Sequence, residues 1–101
     1  MLESVYEQAL AFDLEQYGFE VKRQVPVPFI YKEVKQDIGF RMDILVNNKV
    51  LIEIKSFENL APVHFAQTLT YLKLSKIKLG LLINFNVKIL KDGIHRKVNG
   101  L

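Results

Sequence analysis

The stretch RMDILVNNKVLIEIKSF, residues 41–57, constrains the fold more than any other part of this chain. It reads as two strands joined by a turn at Asn47-Asn48. Side chains alternate faces along a strand, so parity sorts them. The even positions Met42, Ile44, Val46, Val50, Ile52 and Ile54 are all apolar. Arg41, Asp43, Leu45, Leu51, Glu53 and Lys55 take the odd positions. A two-residue loop would set Val46 against Lys49 and Met42 against Glu53. That mixes the two sets, because a slip of one residue turns a strand's apolar set to the other face. A three-residue loop, Asn47 to Lys49, pairs Val46 with Val50 and keeps the apolar residues together. Such a loop needs a left-handed position, which Asn48 tolerates.

In that register Asp43 lies across from Glu53, and Arg41 across from Lys55. Cross-strand partners have Cβ atoms roughly 4.5–5.5 Å apart. Two carboxylates at that spacing repel unless one is protonated or a cation lies between them. With the Ile54 backbone carbonyl as a third ligand they form a hard-oxygen site suited to Mg²⁺ or Mn²⁺. Lys55 projects one pleat beyond Glu53 on the same face, placed to position a water or neutralise a phosphate. A Glu-x-Lys pair can equally be an ion pair on a solvated sheet face. The three residues alone leave both readings open.

Leu2, Val5, Tyr6, Ala9, Leu10, Phe12 and Leu14 predict an amphipathic helix over 2–17, stopped by Gly18. It starts without a cap, so the chain is expected to be clipped at its N-terminus. Alternation from Phe19 to Phe29 predicts a strand, with Pro26 and Pro28 confining it to an edge or a bend. Pro62 suits the first turn of a second helix ending near Lys78. One face of that helix reads as Val63, Ala66, Thr70, Tyr71 and Leu74. Gln67 sits in this stripe with Tyr71 at i+4. A buried amide there needs a partner, either a sheet carbonyl or a phosphate or metal-bound water. GLLINFNV reads as a buried strand, and KILKDGIHRKVN as a final hairpin turning at Asp92-Gly93. Helix, three strands, helix and one or two strands make a single α/β domain on a mixed sheet.

A chain of 101 residues holds one such domain. No run of about 18 apolar residues exists to span a membrane. The first residues show no secretory n-region or h-region. The absence of cysteine excludes disulfides, thiolate zinc sites and cysteine nucleophiles, and fits a reducing cytoplasm. There is no Gly-rich phosphate loop, no G-x-S-x-G elbow and no histidine pair at metal spacing. His64 reads as a capping or surface residue and His95 as structural or solvent-facing. The net charge of +3 favours a polyanionic partner. Lys73, Lys76 and Lys78 complement the second helix's dipole and are also placed to contact phosphates.

Gly39-Phe40-Arg41-Met42-Asp43, then Glu53-Ile54-Lys55, then Gln67-Thr68-Leu69-Thr70-Tyr71 resemble, in order, the PD-(D/E)XK nuclease superfamily in its RecB-like form. The start MLESVYE, through Glu3 and Tyr6, is similar to the GxxExxY family of that superfamily. LKLGLLINFNVKILKDGIHRKVN resembles that family's ending. The family's first glycine would precede Met1, and Met42 stands at the eponymous proline's position. The resemblance implies a restriction-endonuclease-like αβββαβ core: a mixed central sheet flanked by two helices, with a C-terminal β-hairpin. It also implies a Mg²⁺- or Mn²⁺-dependent phosphodiesterase. Asp43 and Glu53 would be metal ligands and Lys55 would orient the attacking water. Glu3 would approach from the first helix, through a metal-bound water. Gln67 and Tyr71, with Lys73, would support the substrate. The expected partner is nucleic acid, DNA before RNA, with no membrane. A homodimer is the expected way for so small a core to grip a long substrate. The alternative is a non-catalytic nucleic-acid-binding or protein-interaction module that retains the nuclease fold.

Overall fold

Val46 pairs with Val50, Leu45 with Leu51 and Ile44 with Ile52 in the computed structural model, which describes residues 2–100. The turn between them has three residues. Its Lys49 N–H donates to the Val46 carbonyl at 2.9 Å. Asn47 and Asn48 both adopt the left-handed region, with φ of 52° and 54°, where asparagine is enriched. Asn47 also ties the turn to the neighbouring strand, because its Oδ1 accepts the Glu20 N–H at 2.8 Å.

The elements are α1 (Leu2–Gln16), β1 (Val21–Tyr31), β2 (Val34–Val46), β3 (Val50–Lys55), α2 (Pro62–Ser75), β4 (Leu79–Asn84), a 3-10 turn (Leu90–Gly93) and β5 (Ile94–Val98). The sheet order is β1-β2-β3-β4-β5. Only β3 and β4 are parallel, and α2 is the crossover that such a pair requires. The two helices cover opposite faces. Ala11 of α1 packs with Ile44, Val46, Ile52, Ile54 and Ile83. Tyr71 and Leu72 of α2 pack with Val27, Leu45, Leu51 and Ile77. Leu45 and Leu51 are therefore buried, so the odd face of the hairpin is a second core and not a solvated surface.

The prolines fall where a missing donor is tolerated. β1 is an edge strand, and its register against β2 slips between Pro26 and Pro28. The β1–β2 hairpin turns at Lys32-Glu33, both left-handed with φ of 49° and 66°, as a two-residue loop of matching twist demands.

Three local expectations need correction. Met42 does not share a face with Ile44: it joins the α2-side core and its Sδ accepts the Ser75 hydroxyl at 3.6 Å. The buried face of α2 is Thr68, Tyr71 and Leu72, whereas Val63 is 66% exposed. Thr68 can enter the core because its hydroxyl donates to the His64 carbonyl at 3.1 Å, which leaves a methyl to pack. The helix ends at Ser75, not near Lys78, because Lys76 turns left-handed at φ 56°. At the C-terminal end, Asp92-Gly93 does turn the chain, as part of the 3-10 turn. The strand after it pairs antiparallel with β4, from Ile83–Ile94 to Leu79–Val98, and residues 88–91 form no hairpin arm. Gly93 is required at this turn, because a Cβ there would collide with the Asn84 carbonyl.

Candidate active site

Beyond Ile44–Ile52 the regular ladder between β2 and β3 ends, and two carboxylates take over its hydrogen bonds. Asp43 Oδ2 accepts the Ile54 N–H at 2.8 Å, and Glu53 Oε2 accepts the Asp43 N–H at 2.8 Å. Each acid thus satisfies a backbone donor on the opposite strand. The pair faces itself as the hairpin register predicts. The next predicted pair does not form: Arg41 makes a two-pronged ion pair with Asp37, Nη1–Oδ1 2.9 Å and Nη2–Oδ2 3.0 Å, instead of facing Lys55. Ile54's N–H points at β2. In an antiparallel pair a residue's N–H and C=O point to the same neighbour, so the Ile54 carbonyl opens onto the same gap.

Glu53 is 3% exposed. Burial, and then the charge of Asp43, push its carboxyl up to about 8 from an ordinary 4.5, against the pull of the Asp43 N–H and the Lys55 ammonium. Asp43 shifts upward too, mainly by burial, with the Ile54 N–H opposing and the charge of Glu7 adding to it. Lys55 is half-buried and its charge works against the shift at both acids.

Glu7 is a site residue that the sequence reading missed. It is 5% exposed, accepting from Arg23 Nε at 2.8 Å and from Gln24 Nε2 at 2.7 Å. Gln24 holds a left-handed φ of 53°, and its amide also lies 3.5 Å from Asp43 Oδ1. Its position explains the misplaced Met42. Val21 and Ile44 pack on the α1 side, but Val25 and Met42 pack on the α2 side. Both strands change face at Gln24 and Asp43. One signal for Glu7 was available: it stands one turn after Glu3, between the apolar Tyr6 and Leu10. Nothing in the pattern marks Gln24.

Glu3 is placed differently from the expectation. Its Oε2 accepts the Ser56 N–H at 2.9 Å, so it holds the end of β3 just past Lys55. Of Glu3 and Glu7, Glu7 is the one whose charge raises Asp43 and Glu53. From α2, Tyr71 borders the pair: its hydroxyl shifts upward by burial and then by the charges of Glu53 and Asp43. Gln67 is half-buried one turn earlier on the same edge. Lys73 is exposed and lies about 200° around the helix from Tyr71, which takes it away from the carboxylates. His64 Nδ1 accepts the Ala61 N–H at 2.9 Å and caps α2. His95 stands edge-on to Phe65, 5.2 Å between centroids.

Among the described residues, no three His, Cys, Asp or Glu side chains converge into a metal cage. The donors present are two carboxylates and a backbone carbonyl. Hard oxygens in an incomplete set fit Mg²⁺ or Mn²⁺, which keep several waters and take substrate phosphate as a ligand. A family model of the PD-(D/E)XK nuclease superfamily matches residues 1–97. The chain belongs to the PD-(D/E)XK nuclease superfamily. The crystal structure of SSO0001 has a similar fold, with a TM-score of 0.64 at 25% identity over 95% of this chain. This chain spans 48% of that protein. No curated protein matches the chain. PD-(D/E)XK nucleases typically use divalent metals and act on nucleic acid. Asp43 and Glu53-Ile54-Lys55 lie on the adjoining strands β2 and β3, just beyond the last pair of their ladder. No helix among the described residues is long and apolar enough to cross a membrane.

Proposed function

We propose that this chain is a Mg²⁺- or Mn²⁺-dependent nuclease of the GxxExxY branch, hydrolysing nucleic-acid phosphodiester bonds. The carrying observation is the carboxylate pair: half-buried Asp43 and buried Glu53 are held opposite each other by mutual backbone bonds while burial and neighbouring negative charge raise both toward protonation. A divalent cation relieves that repulsion. Asp43 and Glu53 would hold the ion with the Ile54 carbonyl, and Glu3, fixed to Ser56 beside Lys55, would reach it through a water. When bound, the ion supplies Lewis acidity toward the scissile phosphate and the attacking water. Lys55 orients that water and offsets the negative charge that develops on the phosphate oxygens. Gln67 donates to a phosphate oxygen, and Tyr71 walls the site on the α2 side. Retention of Asp43, Glu53 and Lys55 together favours an enzyme over a non-catalytic binding module with the same fold. The expected substrate is DNA before RNA, the expected setting cytoplasmic, and the expected assembly a homodimer.

The test is cleavage of end-labelled single- and double-stranded DNA and RNA with Mg²⁺, Mn²⁺ or EDTA. Lys55→Ala is expected to lower kcat by about 10²–10⁴-fold, the range for loss of a single charge-stabilising or proton-handling group, with the fold retained by circular dichroism. EDTA is expected to stop cleavage. Cleavage that survives Lys55→Ala at the wild-type rate assigns the activity elsewhere.

A further inference from the structure

Two aromatic pairs lie along the edge of α2 that meets the candidate site, and packing alone does not account for them. The Phe40 ring, on β2 a short way before Asp43, sits 5.9 Å from the ring of Tyr71, tilted by 32°. Phe57, just past Lys55, stacks on His64 at 4.6 Å and 26°. The backing residues are fixed: Tyr71 is buried, and His64 is held by its cap to Ala61. Phe57 is fixed through its backbone, its N–H donating to Asn84 Oδ1 at 3.1 Å and its carbonyl accepting from Asn84 Nδ2 at 2.8 Å. Yet Phe40 is 48% and Phe57 42% exposed, and neither belongs to either core cluster. Each is a ring braced on one side and open on the other.

His64 and Tyr71 are two turns apart on one helix edge, about 10 Å, with Gln67 between them. The two backing residues are therefore separated by more than one nucleotide's length of a single strand. Nucleobases stack on aromatic rings whatever their sequence, but only when unpaired, because a duplex keeps its base faces inside. The net charge of +3 suits a polyanionic strand laid along this edge.

Accepting that the carboxylate pair is the substrate-facing site, we propose that Phe40 and Phe57 are stacking platforms for unpaired bases, so that this chain takes single-stranded nucleic acid in preference to duplex. Gln67, between the two platforms, meets a phosphate of the strand that runs from one stacked base to the other.

The test is fluorescence anisotropy in EDTA, with the full chain and fluorescein-labelled oligo-dT, oligo-U and a hairpin duplex of equal length. Wild type is expected to bind at least one single strand more tightly than the duplex. Phe40→Ala with Phe57→Ala is expected to weaken single-strand binding by about tenfold or more and duplex binding less than about threefold. Phe40→Trp with Phe57→Trp is expected to keep the single-strand affinity. The rings are half-exposed, so circular dichroism melting of all variants should match wild type. Duplex preference in wild type, equal loss on both substrates, or no binding at all overturns the proposal. Stacking-dependent binding without any metal-dependent cleavage would keep the platforms and sink the nuclease reading. Cleavage with ring-independent binding would do the reverse.

Discussion

Asp43→Asn is expected to lower cleavage by about a thousandfold or more while making the metal-free chain more stable at pH 8. The first effect follows from the donor set. An amide oxygen is a weaker ligand than a carboxylate, and the site has only two acids and a carbonyl to offer. Loss of the several kcal/mol that a bound cation supplies to the transition state is worth about three decades in rate. The second effect follows from the geometry. The amide oxygen of the variant would still accept the Ile54 N–H now bonded to Asp43 Oδ2, so the strand end stays closed. The charge that helps push Glu53 to about 8 is gone. Relief of that repulsion is worth about 1 kcal/mol, or about 4–8 °C in melting temperature for a domain of this size. Kinetics and thermal melts of the same preparation check both halves. A drop in melting temperature would mean that Asp43 is a structural acid and not half of a repelling pair.

The metal-free wild type is expected to lose stability as pH rises from about 5 to 8. The sign comes from Glu53, whose folded-state value of about 8 lies above its ordinary 4.5. Between those values the folded chain keeps a proton that the unfolded chain has released, so rising pH favours unfolding. The stabilisation is complete below about 4.5 and gone by about 8. Asp43 is raised as well and acts in the same direction. The two acids titrate as a pair, and the loss is expected to be on the order of 4–5 kcal/mol. Urea unfolding at several pH values measures it. Glu53→Gln is expected to flatten the profile. Mn²⁺ at pH 8 is expected to restore stability to the wild type, because a ligand that binds only the folded state adds to its stability. A flat wild-type profile would place the pair in water.

Most of the architecture was legible because it rests on local rules. Six apolar residues at even spacing could be kept together in only one register, and that register demanded the three-residue turn at Asn47–Lys49 that the structure contains. Pro26 and Pro28 announced an edge or a bend because they cannot donate, and the strand has both: it is at the sheet edge and its register slips between them. The same parity failed at Met42. Alternation assumes an uninterrupted strand, and here Gln24 turns left-handed beside Asp43, so both strands change face. Gln24 was invisible and Glu7 only faintly marked for a related reason: their roles come from partners on α1, β1 and β2 that only the folded chain brings together. The α2 face was misread because a threonine hydroxyl bonded within the helix buries like an apolar group. Asp92-Gly93 marked a turn correctly, but a turn signal does not say which strand the next segment will join, and β4 outcompeted residues 88–91.

The central claim is that Asp43 and Glu53 form one divalent-cation site. An anomalous difference map from crystals grown with Mn²⁺ tests it most directly. The account predicts a peak between the two carboxylates, about 2–2.4 Å from an oxygen of each and from the Ile54 carbonyl, and no such peak in Asp43→Asn crystals. A wild-type map with that gap empty, or with manganese bound at other side chains instead, would contradict it.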